Sequence, residues 1–179
     1  MYYSTTYNSP IGKLTLASDG ESLIGLWIEG QKYHGDTLPE QPTERDDLPV
    51  FDKTKSWLDR YFAGKKPDIS ELPSAPIGSA FRQAVWDILR SIPYGKITTY
   101  GELAKQIAAK SGKETMSAQA VGGAVGHNPI SIIIPCHRVV GSNGNLTGYA
   151  GGIATKVKLL EFEGADMREL FVPKKGTAL

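Results

Sequence analysis

Apolar positions change their spacing near the middle of the chain. Up to residue 28 they fall in short runs, at 2–7, 13–17 and 23–28, separated by Ser9-Pro10-Ile11-Gly12 and Ser18-Asp19-Gly20. Gly, Pro and Asp at each break are turn formers, so this stretch predicts an antiparallel meander. Residues 31–46 are polar and read as a variable connection. Phe51, Thr54, Leu58, Tyr61 and Phe62 then return at helical spacing, with Asp47 as the expected cap and Gly64 as the stop. Residues 63–78 hold Pro67, Pro73 and Pro76 and read as an interdomain linker. They divide the chain into an N-terminal α/β domain with linker, 1–78, and a C-terminal domain, 79–179.

The second half is mostly helical in pattern. Ser79 caps a helix with Phe81, Val85, Trp86, Leu89 and Ile92 on one face, ended by Pro93-Tyr94-Gly95. Thr99 and Glu102 form a capping box that opens a helix through Leu103, Ala104 and Ile107. A loop around Ser111-Gly112 leads to Ser117, the expected cap of a short helix over 118–126. The apolar run 132–134 reads as a strand, Ser142-Asn143-Gly144-Asn145 as a turn, and 146–149 as a short returning strand. A last helix starts near Ile153, turns Val157, Leu159 and Leu160 inward and ends at Gly164. The tail with Pro173 and Lys174-Lys175 reads as a frayed end.

The helix over 118–126 is nearly bare of large side chains and contains Gly122, Gly123 and Gly126. Each glycine costs a helix about 0.8–1.0 kcal/mol relative to alanine, so three need a reason. Tight packing against another helix is one. The other is the second helix of a helix-turn-helix, with a smooth face for a nucleic-acid groove.

Composition excludes several classes. At 179 residues, 40% hydrophobic and 22% charged, the chain is an ordinary globular protein of one large or two small domains. No apolar run approaches the ~20 residues of a membrane span. The N-terminus lacks a basic and then apolar leader, and there is one cysteine, so a reducing cytoplasm is the expected compartment. Net charge is +1, but Lys and Arg are outnumbered 8 to 12 in residues 1–79 and outnumber acids 12 to 7 in residues 80–179. This mild basic excess suits a polyanion without specifying one.

The single cysteine, Cys136, lies in Ile134-Pro135-Cys136-His137-Arg138-Val139. One thiol makes no internal disulfide and no thiolate-rich metal site. It is either a packing residue or a nucleophile. A free thiol titrates near ~8.5 and needs a base or a positive field to react at neutral pH. His137 adjoins it, yet neighbours on a regular strand point to opposite faces. A local bend at Pro135 or a bridging water would join them. Taken one by one, His137 reads as a hydrogen-bonded structural histidine, Glu163 as a solvated face and Tyr100 as core. Arg138 is expected to make a structural ion pair and is assigned no chemistry. His34 and His127 share no ligand spacing with Cys136, so no metal and no cofactor is expected.

The run Asn128-Pro129-Ile130-Ser131-Ile132-Ile133-Ile134-Pro135-Cys136-His137-Arg138-Val139-Val140-Gly141 continues into Leu146-Thr147-Gly148-Tyr149-Ala150-Gly151-Gly152. Together they resemble the active-site region of the O6-alkylguanine-DNA alkyltransferases, or methylated-DNA–protein-cysteine methyltransferases. The resemblance runs from about Phe81 to Gly164 and fits the first half more loosely. It implies a strand-rich N-terminal domain and a mostly helical DNA-binding, alkyl-transfer domain with helix-turn-helix and wing. The implied activity is DNA repair by stoichiometric transfer of the alkyl group of O6-alkylguanine, and of O4-alkylthymine, to Cys136. His137 would be the base through a bridging water, with Glu163 orienting it. Tyr100 would bond the flipped base and help protonate the leaving guanine, and Asn128 would brace the active-site turn. Val139, Ala150 and Gly151 would line the guanine pocket. Ala118, Gln119, Ala120 and Gly122 would meet the minor groove of double-stranded DNA, with the lesion flipped out. A monomer with no membrane partner is implied.

Gln119 departs from the family pattern, because it stands where most members carry an arginine finger and brings no positive charge. The zinc-binding cysteines found in some relatives' N-terminal domains are absent from this sequence. Ala150 and Gly151 suggest room for groups larger than methyl. The main alternative is a lesion-binding protein of the same fold that transfers nothing. Such proteins commonly have Trp in place of the nucleophile, whereas Cys136 is present. A winged-helix regulator and a Cys-His hydrolase are further alternatives.

Overall fold

The computed structural model describes residues 1–174. Lys175, part of the tail expected to fray, lies outside them. The protein is α/β and its described residues divide into two compact units, one of residues 1–78 with 129–133, the other of residues 79–128 with 134–174.

The first unit is built on the expected meander. Strands β1 (Tyr3–Ser9), β2 (Gly12–Ser18) and β3 (Leu23–Ile28) pair antiparallel, and β4 (Thr43–Glu44) adds parallel to β1. Every residue of β3 is buried. Its outer edge is also covered, because Leu23 N donates to the Pro73 carbonyl and Leu26 N to the Pro129 carbonyl, each at 2.8 Å. The segment read as linker therefore runs along β3, and Ala75 N closes the pairing on the Leu23 carbonyl at 2.9 Å. Sheet edges left open invite foreign strands, and here chain from 73–75 and 129–131 occupies the edge. Gly25 is required on this strand, since a Cβ there would lie 2.1 Å from the Trp27 ring.

Helix α1 (Pro49–Phe62) packs on the sheet through Phe51, Trp57, Leu58 and Tyr61. Its N-cap is Leu48 with Pro49 at the first turn, and Asp47 does not cap it. Asp47 is held instead by Arg45 at 2.6 Å, and Pro at N1 needs no donor satisfied. Gly64 ends the helix in the left-handed region, at φ +76°.

The second unit contains α2 (Ala80–Arg90), β5 (Thr98–Thr99), α3 (Tyr100–Lys110), α4 (Ala118–Gly126), β6 (Val139–Val140) and α5 (Ile153–Phe162). Ser79, Thr99 and Ser117 cap α2, α3 and α4 by accepting from Arg82, Glu102 and Ala120 N–H groups. The reciprocal half of the expected capping box is not made, because the Glu102 carboxylate pairs with Lys105 at 3.2 Å. Trp86, fully buried, ties α2 to α4 by donating to the Ala124 carbonyl at 2.8 Å.

Two expected strands are absent. Residues 132–134 form a buried turn, with Ile132 at φ +71°. A β-branched residue in that region is strained by about 1–3 kcal/mol. Residues 146–149 run without strand pairing, and Asn145 instead bridges to Phe171. An apolar run reads the same whether it is a buried strand or a buried turn. Up to Phe171 the C-terminal segment is tied down: Leu146 N donates to the Phe171 carbonyl at 2.9 Å and Phe171 N to Gly144 at 3.0 Å. Gly144 has no room for a side chain, as its Cβ would lie 2.0 Å from the Glu169 carbonyl oxygen. Among the described residues no helix is long and apolar enough to cross a membrane.

Candidate active site

Pro135 ends the buried turn and starts a single 3-10 turn over Cys136–Arg138. Three residues per turn place successive side chains about 120° apart, so Cys136 and His137 neither oppose each other nor overlap. Asn128 fixes the entry by donating from Nδ2 to the Ile134 carbonyl at 2.8 Å. All three residues of the turn are buried.

His137 is 0% exposed, and its Nε2 lies 2.7 Å from Glu163 Oε2. Glu163 caps the C-terminus of α5 and is itself buried, not the solvated residue its position in sequence suggests. Arg138 grips the same carboxylate, Nε to Oε1 at 2.7 Å and Nη2 to Oε2 at 3.0 Å. The expected ion pair of Arg138 therefore exists, and its partner is the carboxylate behind His137. Arg138 Nη1 donates to the Ile92 carbonyl at 2.6 Å, and Gly95 N reaches Glu163 Oε1 at 3.3 Å.

These contacts set the charge states. Burial alone would raise the Glu163 carboxyl, but the hydrogen bond from His137 and the hydrogen bonds and charge of Arg138 outweigh it and hold it well below the usual carboxylate range. Burial pushes His137 down, Glu163 opposes this, and the Arg138 and Lys156 charges add to the lowering. His137 is thus a neutral imidazole. With Nε2 against a carboxylate its proton sits there, leaving the lone pair on Nδ1. That buried Nδ1 has no protein partner. Burial pushes the Cys136 thiol up, partly offset by a hydrogen bond from Asn128 and the charge of Lys156. The resting thiol is protonated and needs a base to become nucleophilic.

Lys156 is the functional residue that the sequence reading missed. It is fully buried on α5, and Nζ donates to the Val139 carbonyl at 2.5 Å and the Thr147 carbonyl at 3.1 Å. Burial pushes its ammonium down to about 8, with Cys136 pulling the other way. A signal was present: Lys156 lies three residues after Ile153 and four before Leu160, on the apolar face of its helix.

Tyr100 opens α3 and extends its hydroxyl to the Thr147 carbonyl at 3.4 Å and Gly148 at 3.5 Å. Lys156 and Tyr100 therefore converge on one carbonyl. Val139 is buried in β6, paired with Thr98, and its carbonyl already serves Lys156. Ala150 and Gly151 sit half-buried in the turn closed by Gly152 N on the Tyr149 carbonyl at 3.0 Å. On α4, Ala118, Gln119, Ala120 and Gly123 are exposed, Gly122 is half-buried, and Val121, Ala124 and Val125 face inward. Helix packing does not explain the glycines. A Cβ at Gly123 or Gly126 meets nothing within 4 Å, and one at Gly122 only touches the Tyr100 ring at 3.9 Å.

Residues 80–165 match the family model "6-O-methylguanine DNA methyltransferase, DNA binding domain", and residues 1–76 match its "ribonuclease-like domain". The chain belongs to the methylated-DNA–protein-cysteine methyltransferase family. A relative of that name from Haemophilus influenzae is 46% identical over 90% of this chain and 86% of its own. One from Methanosarcina acetivorans is 41% identical over 92% of this chain and 99% of its own. The crystal structure of Mycobacterium tuberculosis OGT in complex with DNA is 43% identical, with TM-score 0.75 over 91% of this chain and 92% of that one. Family membership thus rests on the whole length of the chain and both units, beyond the motif at Cys136.

Proposed function

We propose that this methyltransferase repairs DNA by moving the alkyl group of O6-alkylguanine onto Cys136, once per molecule. The observation that carries the reading is the sole thiol followed by a buried, neutral histidine backed by a carboxylate, with its other nitrogen unclaimed by protein. In the reaction the Cys136 proton passes through a bridging water to His137 Nδ1. The sulfur attacks the alkyl carbon, the S–C bond forms and the C–O6 bond breaks. The Tyr100 hydroxyl bonds the leaving guanine and helps protonate it, and the proton that the imidazolium took from the thiol restores the balance, so that neither a phenolate nor an imidazolium remains. Glu163 stabilises the imidazolium that forms, and Asn128 supports both the turn and the developing thiolate.

An alkylated base is out of reach inside a duplex, so the lesion is flipped out. The face of α4 that carries the exposed Ala118, Gln119 and Ala120 and the half-buried Gly122 enters the minor groove. Val139, Ala150 and Gly151 line the pocket for the flipped base. The open space over Gly123 supports this reading, because a helix that retains costly glycines without an internal neighbour has room for an external one. The protein acts as a cytoplasmic monomer. Gly123→Ala should raise stability by about 1 kcal/mol in urea unfolding and weaken duplex binding several-fold in an anisotropy titration. Equal binding by the two proteins would exclude that face.

Intact mass before and after incubation with duplex containing O6-methylguanine, followed by peptide mapping, tests the function. The expected result is one methyl on Cys136, saturating at one per protein, and none with Cys136→Ser. Tight lesion binding without a mass change would favour a lesion-binding protein that transfers nothing.

A further inference from the structure

Arg138 and His137 compete for one carboxylate. Glu163 Oε2 lies 2.7 Å from His137 Nε2 and 3.0 Å from Arg138 Nη2, while Oε1 takes Arg138 Nε at 2.7 Å. A carboxylate that faced the imidazole alone would bind an imidazolium tightly and hold it. The larger the share of such a pair that carries its proton at rest, the less of it can take one from a thiol. Arg138 removes that outcome, because its guanidinium stays charged at every working pH and occupies the carboxylate in a two-pronged grip. The grip is rigid. Nη1 is anchored on the Ile92 carbonyl at 2.6 Å, and the guanidinium lies 5.7 Å from the Tyr94 ring centroid.

We propose that Arg138 is a positioning residue for the transfer reaction: by sharing Glu163 with His137 it keeps the imidazole neutral, so that His137 is free to accept the Cys136 proton. The inference rests on the reading of His137 as the base. The charged and titratable groups around the imidazole are few. Glu163 and Lys156 come from α5, Arg138 and Cys136 from the same turn as His137, and Tyr149, its ring 6.5 Å away, from the turn before α5. Glu163 favours the imidazolium, while Arg138 and Lys156 disfavour it. Lys156 is committed to the Val139 and Thr147 carbonyls. Of these two cations, Arg138 is the one that bonds the carboxylate directly.

The sign of the effect follows. Without Arg138, Glu163 is uncompensated and His137 gains proton affinity. The acid limb of the pH–rate profile for methyl uptake then moves to higher pH. Arg138→Met should lower the rate about tenfold at pH 6 and recover most of it by pH 8.5, with the limb about one pH unit above wild type. Arg138→Lys keeps the charge and should return the limb to within a few tenths of wild type, even with a lower overall rate. A uniform loss at all pH values, or an acid limb that stays put in Arg138→Met, would overturn the proposal by showing a purely structural role.

NMR titration of the His137 ring protons reads the same quantity without alkyl transfer. An upward move in Arg138→Met supports the proposal and no move overturns it. Wild-type protein that takes up no methyl would sink the transfer reading and leave the titration to decide the role of Arg138. If Arg138→Met does not fold, Arg138→Gln carries the same test, since it too lacks the charge.

Discussion

Glu163→Gln should cost this protein both its fold stability and its chemistry. The carboxylate is 5% exposed and satisfies the Nε2 of His137 and two donors of Arg138. Glutamine has the same shape but is neutral, and one end of its amide is a donor. That end must face Arg138 or His137, both donors already, and Arg138 becomes a buried cation without a counter-charge. Removing one partner of such a pair costs about 3–5 kcal/mol, which urea unfolding reads directly. The methyl-uptake rate should fall by at least ~100-fold, the usual worth of a positioned base, at a temperature where circular dichroism shows the variant folded. The pH dependence of stability has a definite sign as well. The folded carboxyl lies well below its ordinary value, so its stabilisation is full above about pH 4.5 and is lost as pH falls. Glu163→Gln should flatten that part of the wild-type acid-unfolding curve. A folded variant with wild-type methyl uptake would remove Glu163 from the mechanism.

Much of the site could be read in the chain because its chemistry is contiguous. Cys136, His137 and Arg138 are neighbours in sequence, and Asn128 lies one short turn upstream. Glu163 was less visible. At the end of an amphipathic helix it looks like any solvated acid, and only the inward course of the chain after Phe162 buries it against Arg138. The meander was legible from its turn formers, since Gly12 and Gly20 adopt φ values of +116° and +107° that few other residues tolerate.

The readings that failed share a cause. Periodicity reports whether a residue is apolar and says nothing about its partner. Residues 132–134 are as apolar as any strand, yet Ile132 at φ +71° bends the backbone and the run becomes a turn. The cap expected at Asp47 went to Leu48 because Asp47 found Arg45 instead. Lys156 escaped notice because lysine is almost never fully buried unless paired, and its partners are two main-chain carbonyls. A helix-face analysis finds a misplaced lysine, but it does not find the carbonyls of Val139 and Thr147, whose positions come from tertiary structure.

Lys156→Met should slow the reaction of Cys136 with iodoacetamide about tenfold at neutral pH, the change in thiolate that one pKa unit brings. Methionine keeps the length and helix propensity of the side chain and removes the charge. Lys156 is a cation whose field favours the Cys136 thiolate, while burial disfavours it. Without the ammonium the Asn128 and backbone hydrogen bonds continue to offset burial but the charge does not, so the thiol titrates higher and less thiolate is present. Stability should change in a different way. The folded ammonium is pushed from 10.5 down to about 8. Between those values the unfolded chain binds more protons, so wild-type stability rises with pH there. Below about 8 the buried charge costs roughly 3 kcal/mol. The variant escapes that cost but leaves the Val139 and Thr147 carbonyls short of a donor, at about 1–3 kcal/mol each. Urea unfolding at pH 7 should therefore differ little, while the wild-type rise between 8 and 10.5 disappears. A protein that carries such a cost at working pH retains the ammonium for what it does to the thiol. An iodoacetamide rate unchanged by Lys156→Met would refute that and leave Lys156 as a tie between two carbonyls.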